Sequence, residues 1–176
     1  MTGQQIVWMI CLYAVAMVVV VYFTRAASRR IAGALGGGAV GGLLLLGMID
    51  LGEMVGWWHW QLHFSSMAGF AVLFFVGCAV SCAPIYLLTW RVARRFGWPG
   101  LATTFGVAGM IGPPRDYLLA KAFPEWGGFT PGFGPVVADA LAYVVLVAAG
   151  HAVMRIIAGP ANADNLSRQS SLNRGR

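Results

Sequence analysis

The 176-residue chain is 59% hydrophobic and 10% charged, with a net charge of +6, far from the roughly 25% charged residues of a soluble domain. That composition excludes an ordinary soluble fold and points to an integral membrane protein. The basic residues sit in short clusters between apolar runs, the pattern of topology signals rather than of a nucleic-acid interface. There is no P-loop, GxSxG elbow or sizeable soluble stretch, which argues against ATP-driven transport and common serine-hydrolase chemistry.

A spanning helix needs about 20 apolar residues to cross a hydrocarbon core roughly 30 Å thick. Residues 6–23 form the first such run. No basic residue precedes it and no small-residue cleavage site follows it, so it reads as a retained membrane anchor.

Residues 31–51 form the second. Gly33, Gly37 and Gly41 recur at four-residue spacing, as do Gly38 and Gly42, and small residues at that interval let a neighbouring helix approach closely. The run ends in "IDLGEMVGWWHWQLHF". Asp50 and Glu53 are spaced i, i+3 and share a helix face. His59 and His63 are spaced i, i+4 and would present both imidazoles to one metal if the segment is helical. Against this half metal site stands a simpler reading, in which Trp57, Trp58 and Trp60 form an interfacial aromatic belt with wet acids and histidines among them.

The third run, residues 65–90, carries Pro84, which removes a backbone donor and bends the helix near Val80. Cys78 and Cys82 share a face and could relay a soft metal, or serve as small packing residues. With Cys11 they are expected to be free thiols, since lipid shields them from disulfide exchange.

The fourth run, from residue 98, is uninterrupted only to Gly112, about 22 Å at 1.5 Å per residue, and then reads "GPPRDY". Either the helix stops at Pro113, or it continues through a proline kink towards Phe123. In the second case Arg115 and Asp116 lie in the outer half of the bilayer, where ionisable residues line a functional path or pair with other helices. Asp50, Glu53 and Asp139 are then available to Arg115.

The stretch "FPEWGGFTPGFGP", rich in Pro and Gly, is expected to be irregular. The fifth run, residues 135–157, places Asp139 one turn inside its start, facing the bundle, and His151 near its other end as a packing residue. From Glu125 through Pro131, Gly132 and Asp139 to Gly150 the chain is loosely similar to the last-helix pattern of VanZ-like membrane proteins. The expected Gln after the Glu, Arg after the Gly and Asn after the Asp are missing, so the pattern assigns no family.

Basic residues set the orientation. Arg25, Arg29 and Arg30, then Arg91, Arg94 and Arg95, then Arg155, Arg168, Arg174 and Arg176 all fall on one side of a five-span arrangement. Only Arg115 and Lys121 fall on the other side. The positive-inside rule then places the amino terminus outside and the carboxyl terminus in the cytoplasm. The preference for Arg over Lys, with abundant Ala and Gly, suggests a GC-rich bacterial genome and hence the bacterial inner membrane.

The expected fold is all-α: a polytopic bundle of five transmembrane helices over residues 1–158, the fourth short or Pro-kinked, followed by a polar, disordered cytoplasmic tail over 159–176. The first functional expectation is a small membrane enzyme or binding protein that handles a lipid or isoprenoid-like ligand in an outward-facing polar cavity. Asp50, Glu53, Arg115, Asp116 and Asp139 would be its catalytic set, with His59 and His63 at its mouth as metal candidates. The second is an accessory or scaffold subunit packed against partner membrane subunits, and the third is metal or ion transport. Membrane lipids surround the chain in every case, and the sequence names no cofactor.

Overall fold

The computed structural model describes residues 3–61 and 67–161. His63 and most of the polar tail, from residue 162 and including Asp164, Arg168, Arg174 and Arg176, lie outside the described residues.

The described chain is helical apart from one short ribbon. Its elements are α1 (Gly3–Thr24), α2 (Ser28–Val55), β1 (Trp58–Trp60), α3 (Met67–Ala122), β2 (Gly127–Phe129) and α4 (Phe133–Ala158). All four helices are long and apolar enough to cross a membrane, where a helix satisfies its own backbone hydrogen bonds.

That count is four rather than the expected five, because the runs from 65 and from 98 are joined into the 56-residue α3. Gly97 interrupts it with φ 64° and ψ −148°, a backbone conformation outside the helical region that glycine adopts without a Cβ clash. Pro99 follows in the first turn of the next segment, where a missing N–H costs no hydrogen bond. Beyond it the helix does not stop at Pro113 but passes through Pro113 and Pro114 to Ala122.

The two stretches of α3 meet α4 at different heights. Tyr86 donates a hydrogen bond to the Leu146 carbonyl, at 3.2 Å, and Thr89 lies 2.9 Å from His151. Farther along, Gly109 faces Ala140 and Val144, and Gly112 faces Tyr143. Leu101 lines one cavity with Met154, whereas Asp116 lies within electrostatic reach of Asp139, so the second stretch runs antiparallel to α4.

The glycines of α2 do what their spacing predicts. Gly33 meets Met154 and Ala158, and Gly37 meets the Gly150 backbone, all on α4, whereas Gly38 and Gly42 meet Cys78 and Ala79 or Phe75 of α3. Gly41, the third of the first series, meets the Tyr86 hydroxyl of α3 instead, so the glycines seat α2 against both neighbours. The core between them holds Ala34, Ala83, Tyr86, Leu87, Trp90 and Met154.

The ribbon was not expected. β1 and β2 pair antiparallel, with Trp58 opposite Phe129, His59 opposite Gly128 and Trp60 opposite Gly127. The Trp57–Trp60 stretch is therefore more than a wet collar. Trp58 is buried, its ring lies against Gly52, and its Nε1 donates to the Ile49 carbonyl at 3.2 Å. Across the ribbon Trp126 is also buried and donates to Gln5 of α1 at 3.1 Å.

Trp58→Phe removes that indole bond and leaves the cavity of the missing ring, so it should cost about 1–2 kcal/mol in thermal unfolding of the detergent-solubilised protein. His59→Gln, on an exposed residue, should be silent. Equal midpoints for the two variants would return Trp58 to the surface belt.

Candidate functional site: a polar cluster between α1, α3 and α4

Four consecutive residues of α3, Pro114 to Tyr117, bring the only closely packed ionic group of the described residues into the apolar bundle. Arg115 Nη1 donates to the Tyr143 hydroxyl at 2.6 Å, and Arg115 Nη2 donates to the Tyr13 hydroxyl at 3.3 Å. The Tyr143 hydroxyl in turn donates to Asp116 Oδ2 at 2.8 Å. Nη1 also lies 3.6 Å from Asp116 Oδ1. Neighbours in sequence do not face each other on a helix. The long arginine side chain and the tyrosine of α4 bridge that angle.

Tyr143 is the hub, since its single hydroxyl accepts from the cation and donates to the carboxylate. Its ring lies directly over Gly112, where a side chain would occupy the same space. The sequence places Gly109, Gly112 and Asp116 on one face of α3, so small residues bring α4 in and the acid meets it there.

One turn earlier on α4, Asp139 is 7% exposed and close enough to Asp116 and Arg115 to interact electrostatically with both. Its Oδ2 is buried without a hydrogen-bond partner, and so is the hydroxyl of Tyr117, which is within electrostatic reach of Asp139. The Tyr117 ring stacks on Phe129 of the ribbon, with centroids 4.4 Å apart. An open acceptor and an open donor thus sit beside the satisfied Arg115–Tyr143–Asp116 group.

Of the five acid and base candidates, the structure gathers Arg115, Asp116 and Asp139. Asp50 and Glu53 are exposed, because α2 turns Gly52 towards Trp58 at this level. Glu53 instead accepts the backbone N–H of Trp60 at 2.8 Å and ties α2 to the ribbon. Among the described residues Arg115 pairs with Asp116 and not with Asp50, Glu53 or Asp139. Tyr13, Tyr117 and Tyr143 were not singled out from the sequence. Their signal was a hydroxyl inside an apolar run, a group that seeks a partner when buried.

For metal chemistry, no group of three or more His, Cys, Asp or Glu among the described residues could hold an ion. His59 is exposed on β1 opposite Gly128, and its proposed companion His63 is outside the described residues. Cys11, Cys78 and Cys82 are free thiols, and Cys78 packs against Gly42 of α2. Compared with family models, curated proteins and solved structures, the chain matches none, so its function is read from these residues alone.

Proposed function

We propose that this chain is a five-pass protein of the bacterial inner membrane, with its amino terminus outside and its carboxyl terminus in the cytoplasm. In this reading it binds the polar head of a lipid or isoprenoid-like molecule at the Arg115–Asp116–Tyr143–Asp139 cluster. The fifth pass comes from dividing α3 at Gly97: residues 98–122 would measure about 37 Å at 1.5 Å per residue, enough to cross the hydrocarbon core. The orientation draws on the grouping of Arg30, Arg94 and Arg155 around one end of the bundle, with Arg115 and the ribbon at the other.

The observation that carries the ligand proposal is the pair of unpartnered buried atoms, Asp139 Oδ2 and Tyr117 Oη. A polar group buried without a hydrogen bond costs about 1–3 kcal/mol. A ligand hydroxyl satisfies both, donating to Asp139 and accepting from Tyr117, while Arg115 offers charge to an anionic head. With a hydroxyl so held, Asp139 is placed to move its proton, and the reading extends to acid–base catalysis on the bound head.

Two measurements test this. Reporter fusions after Arg95 and after Arg176 should be active only in the cytoplasm, and one after Phe123 only in the periplasm; periplasmic activity at Arg95 would overturn the orientation. Lipids extracted from the purified protein should contain one prenyl or acyl species enriched over the bulk membrane, and Asp139→Ala should lose it. Identical bulk-like profiles from both proteins would sink the ligand reading.

A further inference from the structure

The opposite end of the bundle is lined by residues that take no part in the polar cluster. A cavity of about 370 Å³ opens there, and its walls include Arg30, Trp90, Arg94, Trp98, His151 and Arg155. Among the described residues no carboxylate lines it. Its volume falls within the range of small-ligand pockets, roughly 300–1,000 Å³.

Two of the lining residues carry buried hydrogen-bonding atoms that have no partner. Trp90 is 1% exposed, yet its indole Nε1 has no acceptor. Arg94 Nη1 is likewise buried and unpartnered. Arg155 projects from the last turn of α4 as an exposed side chain. Arg30 builds the wall: it donates to the carbonyls of Gly159 at 2.7 Å and Pro160 at 3.2 Å, and it lies 5.1 Å from the centre of the Trp90 ring. It thereby holds the chain beyond α4 across the end of α2 and adds its charge to the cavity.

His151 is oriented by a buried relay. The Thr89 hydroxyl has one hydrogen, which goes to the Tyr86 carbonyl at 2.8 Å, so His151 Nδ1, 2.9 Å from the same oxygen, is assigned as the donor. In the neutral ring its Nε2 is then left as an acceptor for a hydroxyl. Trp98, 69% exposed, also lines the cavity and brings to it an amphipathic ring suited to the membrane boundary.

We propose that this cavity is a phosphate-binding site, in which Arg94 and Arg155 neutralise the anion, Trp90 Nε1 donates to one of its oxygens, and His151 Nε2 accepts from a hydroxyl of the attached head. Basic pockets between helices at a cytoplasmic surface are suited to anionic lipid headgroups. The same chemistry would serve a free phosphate, and the two sources are separable by experiment.

The full-length protein in a neutral detergent is titrated with dioleoylphosphatidylglycerol, with dioleoylphosphatidylcholine, and with inorganic phosphate against chloride at fixed ionic strength, and the thermal midpoint is read. Phosphatidylglycerol should raise the midpoint saturably and phosphatidylcholine should not. The half-saturating concentration should rise at least about tenfold in Arg94→Gln/Arg155→Gln, the loss expected from charge-assisted hydrogen bonds. It should stay within about twofold in Arg25→Gln/Arg95→Gln, which removes the same charge from exposed positions outside the cavity.

A saturable response to inorganic phosphate with the same dependence on Arg94 and Arg155 supports the site and assigns it to a soluble phosphate. Equal weakening in the two double variants, or no saturable response to either anion, overturns it. Arg155→Gln alone, at an exposed residue, carries the same comparison if the double variant does not fold.

Discussion

Replacing Arg115 with alanine should cost the folded protein about 2 kcal/mol in SDS-induced or thermal unfolding. Removing one partner of a fully buried ion pair costs roughly 3–5 kcal/mol. The Arg115 side chain is 44% exposed and that of Asp116 16%, so solvent and headgroups take up part of the loss. What remains is the stranding of three groups at once: the Tyr143 hydroxyl loses its donor, Tyr13 loses its partner on α3, and Asp116 loses its counter-charge. Arg115→Lys should recover only part of this, since an ammonium replaces two diverging donors with a single point of charge. Tyr143→Phe should be nearly as damaging, and the two changes together should cost less than their sum by about 1 kcal/mol, because they break one network. Strict additivity would mean that Arg115 and Tyr143 act separately and would dissolve the cluster as a unit.

The legible parts of this molecule are those that repeat with helical period. The glycines of α2 announced close packing against a neighbouring helix, and the structure uses them against two, Gly33 and Gly37 against α4 and Gly38 and Gly42 against α3. Asp139 was expected to face the bundle and is buried. The ionic partners of Arg115 were less legible. Asp50 and Glu53 sit near the same end of the bundle in any linear reading, but the rotation of α2 is set by Trp58 filling the space at Gly52, a contact between a helix and a strand that did not itself show in the pattern. The ribbon pairs only three residues on each side, from segments separated by the whole of α3, and pairs that short and distant leave no periodicity to read. The tyrosines were hidden for a different reason. Tyr13 and Tyr143 lie in apolar runs and count towards hydrophobicity, although each carries the hydroxyl that completes the network.

The buried face of α4 links the two candidate sites. Asp139, Tyr143, Val147, Gly150, His151, Met154 and Ala158 follow one another at helical spacing, and its ionisable members, Asp139 and His151, stand about 18 Å apart along the axis, one on either side of the helix's middle. Between them the Tyr86 ring fills the space at Gly150 and its hydroxyl bonds to Leu146. The stretch between them is thus closed by packing, and the polar chemistry lies to either side of it. In a membrane that keeps both groups off the bilayer centre, where ionisable side chains are most expensive.

A pair of glycine substitutions on α3 separates packing from helix propensity. Gly106 has nothing within 4 Å of the position its Cβ would take, so Gly106→Ala should stabilise the helix by about 0.5–1 kcal/mol through reduced backbone freedom alone. Gly112→Ala makes the same chemical change less than two turns away, but there the new methyl would fall inside the ring of Tyr143. Overpacking of this kind costs about 1–3 kcal/mol. The ring cannot yield without withdrawing its hydroxyl from Arg115 and Asp116, so the variant should also show the lost coupling expected of Tyr143→Phe. Opposite signs in unfolding midpoint, with Gly106→Ala above the parent and Gly112→Ala well below it, are the expected result. A stabilising Gly112→Ala would mean that Tyr143 does not lie over α3, and the bridge from Arg115 through Tyr143 to Asp116 would fall with it.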